Sequence, residues 1–240
     1  MSQPLTAEPI EVDVDDLVTE DDAPLVNWFS EKQQRLLTEP LYSSWRGPLS
    51  ETGAPRSFVA AANVGLFFAR NKPPLVPDVF LSLDVEIPEN WHEKRHRSYF
   101  FWEFGKAPEV VIEIVSNREG GEDTNKLREY GRIAVGYYVI FDPLRQLSEE
   151  LLRVYELTFR RYRPRPDFRL PELDLSLTLW NGVYEDKPGE WLRWCDAAGK
   201  LVLTGAERAE RAEERAVTAE ERAARLAAKL RELGADPDQV

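Results

Sequence analysis

Residues 108–116 read Pro-Glu-Val-Val-Ile-Glu-Ile-Val-Ser, a run of β-branched apolar residues with one carboxylate, Glu113, set inside it. Such a run reads as a buried strand. Burying a lone carboxylate costs several kcal/mol unless a cation or a metal compensates. Thirty-five positions earlier a second acid, Asp78, stands in a similar run, Val76-Pro77-Asp78-Val79-Phe80-Leu81. Two acids on two strands, followed by Lys126, suggest a hydrolytic metal site.

Strand-like runs rich in Val, Ile, Phe or Tyr occur at 57–68, 76–83, 108–116, 136–141 and 151–162. The periodicity predicts a first helix over Ala23–Thr38, with Leu25, Trp28, Phe29, Leu36 and Leu37 as its apolar face. Another helix is predicted between 116 and 136, its start marked by Gly120-Gly121 and the capping candidates Asp123 and Thr124. Strand, helix and strand in that order predict a βαβ crossover and a mixed α/β sheet with helices on its faces. On the second helix Glu122, Lys126 and Tyr130 fall at i, i+4 and i+8, hence on one face. Taken alone, Glu122 and Lys126 read better as an ordinary exposed i,i+4 pair. Beside Glu113, the Lys126 ammonium can reach a metal or water held by the two acids. A divalent ion there would lower the pKa of bound water and neutralise phosphate charge, and a lysine would stabilise the charge that develops.

Composition bounds the rest. The chain has 240 residues, 42% of them hydrophobic, enough for one well-buried domain with appendages. No apolar run approaches the roughly 20 residues that span a bilayer, the start lacks the pattern of a signal peptide, and the single Cys195 can form neither an intrachain disulfide nor a cysteine metal site. The expectation is a cytoplasmic protein without membrane partners. Net charge is −12, which argues against nucleic acid at first sight. Eight acids and no Lys or Arg lie in 1–24, and nine acids against seven bases in 204–240, so the body is close to neutral. It carries basic clusters at Lys94-Arg95-His96-Arg97 and Arg160-Arg161-Tyr162-Arg163. These are compatible with DNA and equally with solvated loops and an amphipathic strand edge.

Four segments follow: an acidic flexible arm (1–24), the body (25–203), a helix rich in Ala, Glu and Arg (204–234) and a short tail (235–240). In the third, Ala209, Ala212, Ala216, Ala219, Ala223, Leu226, Leu230 and Leu233 alternate in spacings of three and four, a heptad seam. It suits either a dimerisation helix, the favoured reading, or a helix docked on its own domain. The stretch Trp191–Leu203 reads as a peripheral hairpin.

A rival motif is His92-Glu93-Lys94-Arg95-His96, the H-E-x-x-H pattern of zinc hydrolases. That chemistry needs both imidazoles on one helical face with Glu93 as general base, yet Lys and Arg intervene and no long apolar helix surrounds the segment. Ser116 is a possible nucleophile only with a histidine partner, and a hydrogen bond at the strand end suits it better.

From Phe29 to Trp180 the chain resembles the Uma-two family of restriction-endonuclease-like proteins, a branch of the PD-(D/E)XK nuclease superfamily. The matching features are Pro77-Asp78, Glu113-Ile-Val-Ser116, Lys126, Tyr130 and Gly136-Tyr-Tyr-Val-Ile-Phe-Asp142-Pro143. The resemblance implies a restriction-endonuclease-like α/β fold and endonucleolytic hydrolysis of DNA with a magnesium-type metal, for which Mn²⁺ is a possible substitute. It makes Asp78 and Glu113 the metal-binding acids. The superfamily's lysine two places after the Glu is replaced here by Val115, so Lys126 is the candidate for a migrated catalytic lysine. A supporting acid from the first helix would be Glu31. A dimer suits cleavage of both strands of a duplex. The alternative is a nuclease-fold binding or interaction module without turnover.

Overall fold

The computed structural model describes residues 27–116 and 121–232. The acidic arm, the tail, and residues 23–26 of the expected first helix lie outside them. Helix α1 (Trp28–Pro40) starts where the Asn27 side chain accepts a 2.9 Å hydrogen bond from the Ser30 N–H. A π-helical turn, Leu41–Trp45, extends it past Thr38 before Arg46 turns the chain at φ 65°. Strands β1 (Phe58–Ala62) and β2 (Leu66–Phe67) divide the expected run 57–68 at Asn63, whose φ is 55°. Strand β3 (Val79–Leu83) follows, then β4 (Tyr99–Phe100), a one-turn helix α2 (Phe101–Phe104) and β5 (Val110–Ile114). Helix α3 (Leu127–Arg132) is preceded by a π-helical turn, Glu122–Lys126. Asp123 and Thr124 lie inside that turn instead of capping it; Gly121 opens it at φ 69°.

After α3 come β6 (Tyr137–Phe141), β7 (Leu152–Thr158) and β8 (Arg161–Pro164). The expected single run 151–162 is a hairpin, because Phe159 and Arg160 both take positive φ and reverse the chain in two residues. Strands β9 (Arg169–Leu170), β10 (Leu175–Tyr184) and β11 (Lys187–Asp196) precede the long helix α4 (Gly205–Glu232).

Six strands form a mixed sheet in the order β1-β3-β5-β6-β7-β8, with β5 and β6 parallel and every other pair antiparallel. The parallel pair is joined by the segment carrying α3, as a crossover requires. One face packs Leu81, Ile112 and Val139 against Leu37 of α1 and against Leu177, Leu192 and Trp194 of the second, antiparallel sheet β9-β10-β11. The Gln33 amide brackets Leu192, donating to its carbonyl at 2.8 Å and accepting from its N–H at 2.9 Å, and Trp194 donates to the Leu37 carbonyl at 2.7 Å. Trp191 and Trp194 are thus buried, and the segment read as a peripheral hairpin builds part of the core. The other face packs Phe80, Val111, Val115, Tyr138 and Ile140 against Tyr99, Tyr130 and Val135.

Helix α4 begins with a reciprocal cap: the Glu207 N–H donates to Thr204 Oγ1 at 3.1 Å and the Thr204 N–H to Glu207 Oε2 at 2.8 Å. Buried Arg193 grips the same carboxylate through both terminal nitrogens, at 2.7 and 2.6 Å. No residue of α4 is buried, and Val217 and Leu226 are exposed. No helix among the described residues is long and apolar enough to cross a membrane.

Candidate active site

The antiparallel register of β3 on β5 pairs Val79 with Ile112. Continued by one residue, back along β3 and forward along β5, this register brings Asp78 opposite Glu113, and residues so opposed share a face of the sheet. Alternation along β5 puts Val111, Glu113 and Val115 on the face that packs against Tyr130. This is why one acid ends up inside an apolar layer: β5 is covered on both sides, and every residue of it is buried. Glu113 is 1% exposed.

Each oxygen of the two carboxylates has a defined partner. Asp78 Oδ2 accepts from the Ile114 N–H at 2.7 Å and Oδ1 from the Gln34 amide at 2.9 Å. Gln34 and Asn63 exchange hydrogen bonds of 2.9 and 3.2 Å, so the helix and the end of β1 hold Asp78 together. Glu113 Oε1 accepts from the Tyr130 hydroxyl at 2.7 Å and Oε2 from Lys126 Nζ at 2.9 Å. Lys126 Nζ also reaches Glu122 Oε1 at 3.4 Å, while Glu122 Oε2 is buried without a hydrogen-bond partner among the described residues. The Tyr138 hydroxyl donates to the Glu122 carbonyl at 2.8 Å and fixes the turn that aims these side chains.

The electrostatics follow from burial. Desolvation pushes Glu113 up to about 7, against the pull of Lys126 and with a further push from Asp78. Burial also raises Asp78, opposed by the Ile114 N–H and by Lys126. On Lys126 burial acts downward, but Glu113 and Glu122 outweigh it and its pKa is raised. Tyr130 is raised well above its usual value by burial and by Glu113, so it stays a hydroxyl donor.

The pair suits a hard cation. Among the described residues no set of three or more His, Cys, Asp or Glu side chains is arranged to hold a metal. An ion at Asp78 and Glu113 would therefore have two protein carboxylates and complete its shell with water and substrate oxygens, the habit of Mg²⁺. The all-oxygen donor set and the mutual repulsion of the two acids both favour such an ion.

Other expectations fare differently. Glu31 does not join the group; it pairs with Arg35 at 2.8 Å. The α1 residue that reaches the acids is Gln34, three positions on. Ser116 is exposed at the end of β5. The zinc reading fails on geometry: Lys94–His96 is a single 3₁₀ turn that begins after Glu93, so His92 and His96 do not share a helical face. Glu93 accepts from the Asn90 amide at 2.6 Å, and His96 Nδ1 lies 3.3 Å from the Asn90 carbonyl. Gln34 and Asn63 were missed, and the only sequence signal was a polar pair, Gln33-Gln34, beside the apolar positions Leu36 and Leu37. Asp142, one of the residues that carry the resemblance, is fully buried and accepts from the N–H groups of Gln146 and Leu147 at 2.8 and 2.7 Å; it shapes a turn.

The fold is a mixed α/β sheet with one parallel pair joined through α3. Residues 20–182 match the family Uma2, described as "Putative restriction endonuclease". The chain belongs to that family. Among solved structures it is similar to a crystal structure from Anabaena variabilis described as a "putative nuclease belonging to DUF820", at 18% identity and a TM-score of 0.39, over 60% of this chain and 72% of that one. No curated protein matches the chain.

Proposed function

We propose that this protein is an endonuclease that hydrolyses phosphodiester bonds in DNA at a divalent ion held by Asp78 and Glu113. The observation that carries the reading is the β3–β5 register, which continued by one residue brings Asp78 opposite Glu113, together with the Lys126 ammonium on Glu113 Oε2. Membership of the Uma2 family supports it. When bound, Mg²⁺, or Mn²⁺ in its place, would supply an activated water and neutralise charge on the phosphate.

The chain's own residues do the remaining work. Gln34 and the Ile114 N–H aim Asp78, and Tyr130 holds one oxygen of Glu113, so neither acid has to reorganise. Lys126 serves as counter-ion to Glu113 in the ion-free protein. With that role taken over, its ammonium is available to the attacking water or a phosphate oxygen, and Glu122 keeps it charged and near. A homodimer formed through the exposed seam of α4 would present two such sites to a duplex. A DNA substrate makes the cytoplasm the expected place of action.

A second reading, a nuclease fold that binds without turnover, draws on one feature: both Glu113 oxygens already have protein donors. One assay separates the two. Purified protein is incubated with supercoiled plasmid and with single-stranded DNA, in Mg²⁺ or Mn²⁺. The nuclease reading expects nicked and linear products that vanish with Asp78→Ala or Glu113→Ala. Cleavage unchanged by both substitutions sinks the site assignment, and DNA binding without cleavage in either metal favours the second reading.

A further inference from the structure

A recess on the same sheet face lies beside the acid pair and has no part in the chemistry above. It is a cavity of about 520 Å³ over Ala61 and Phe80, walled by Ile87, Trp91, Tyr99 and Phe104. That volume lies within the ~300–1,000 Å³ typical of small-molecule sites. The walls are apolar, the polar groups come from His92, His96, Arg97 and Ser98, and among the described residues no acid lines it. Trp91 is 56% exposed and Ile87 53%. Large apolar side chains left together at the mouth of a cavity are a mark of binding surfaces.

Its position relative to the acids is set by register. Ala61 pairs with Phe80 and Phe80 with Val111, which makes one row across three strands. Asp78 and Glu113 form the next row on the same face, one pleat repeat or about 7 Å along the strands. Asn63, between the lining residues Ala61 and Val64, hydrogen-bonds Gln34, and Gln34 holds Asp78. Cavity and acid pair are therefore neighbours tied by one short network.

We infer that this cavity receives one unstacked nucleobase of the strand whose phosphate lies at Asp78 and Glu113. Flat aromatic walls with polar groups at the edge are what a base taken out of its stack requires. The spacing between the rows is comparable to that between the base and the phosphate of one nucleotide. A lining without acids among the described residues, with Arg97 at its rim, suits the approach of a phosphodiester chain. The inference rests on the nuclease reading for its ligand and narrows the substrate: the favoured DNA presents an unpaired or turned-out base near the scissile bond.

The test is equilibrium binding in EDTA, read by fluorescence anisotropy, with three labelled duplexes: one with a single bulged adenine, one with an abasic residue in the bulge, and one fully paired. The bulged adenine is expected to bind about tenfold tighter than its abasic counterpart, the effect of stacking one base. Trp91→Ala, which removes a wall, and Ala61→Phe, which fills the floor, should each bring the two affinities together. Trp91 is exposed, so its loss does not threaten the fold. Equal binding of the base and abasic duplexes by the unmodified protein overturns the inference, as does a preference that survives both substitutions. Because no metal is present, the result is separable from cleavage. Cleavage without base preference defeats the cavity assignment alone, and base preference without cleavage in any metal defeats the nuclease reading alone.

Discussion

Replacing Glu113 by Gln should make the ion-free protein more stable at pH 8, against the usual effect of removing a buried hydrogen-bonded group. Burial and Asp78 raise the Glu113 carboxyl from 4.5 to about 7 even with Lys126 beside it. The folded protein therefore holds this proton more tightly than the unfolded chain. The resulting stability is fully present below about pH 4.5 and is lost as pH rises through about 7. At about 1.4 kcal/mol per pH unit, the ionised carboxylate costs about 3 kcal/mol at pH 8. Gln keeps the shape without the charge: its carbonyl can accept from Lys126 and its amide can donate to the Tyr130 oxygen. The gain is thus up to about 3 kcal/mol at pH 8 and falls below about 1 kcal/mol near pH 5. For a protein of this size that is on the order of 6–12 °C in Tm at pH 8. Thermal unfolding of both proteins in EDTA between pH 5 and 8.5, followed by circular dichroism, reads it directly. Parallel Tm curves, or a variant less stable than the parent at pH 8, would refute the claim that Glu113 is a strained carboxylate awaiting a cation.

Three further outcomes follow from the same contacts. Lys126→Ala leaves Glu113 and Glu122 without their shared ammonium; ion-free Tm should fall by several degrees and cleavage by about 10²–10³-fold, the usual cost of losing one charge-stabilising donor, and an unchanged rate would remove Lys126 from the mechanism. Tyr130→Phe deletes the 2.7 Å hydrogen bond to Glu113 and should cost about 1–3 kcal/mol in denaturant unfolding at neutral pH; no loss would mean that this bond does not hold the acid. Leu226→Glu puts a charge into the seam of α4 and should convert a dimer to a monomer in sedimentation experiments, whereas a parent protein that sediments as a monomer at all accessible concentrations would end the dimer proposal.

Much of the candidate site's geometry was legible because its pattern is local or periodic. Glu113 declared itself as a carboxylate among β-branched residues, and Glu122, Lys126 and Tyr130 share a helical face by spacing alone. The π-helical turn Glu122–Lys126 shifts that spacing only slightly, and Lys126 still reaches both acids. Gln34 and Asn63 were not legible, since their roles arise only when α1 is laid across the end of β1. The second sheet was largely missed for a related reason. The β10–β11 hairpin turns through Glu185 and Asp186, both at positive φ, with no Asn-Gly or Asp-Gly to announce it. Lys32 and Arg35 ion-pair with Glu185 across from α1, a contact between residues some 150 positions apart. The H-E-x-x-H pattern shows the opposite failure, a motif without the helix that gives it meaning.

The central claim is that Asp78 and Glu113 together hold one divalent ion. Titrating Mn²⁺ into the protein at pH 8, with free ion followed by electron paramagnetic resonance, tests this without reference to turnover. We expect one ion bound per chain, competed by Mg²⁺, with affinity that falls as pH drops below 7 because both acids must be deprotonated. Asp78→Asn and Glu113→Gln should each abolish that binding. An ion bound equally well by both variants, or none bound by the parent protein, would contradict the account.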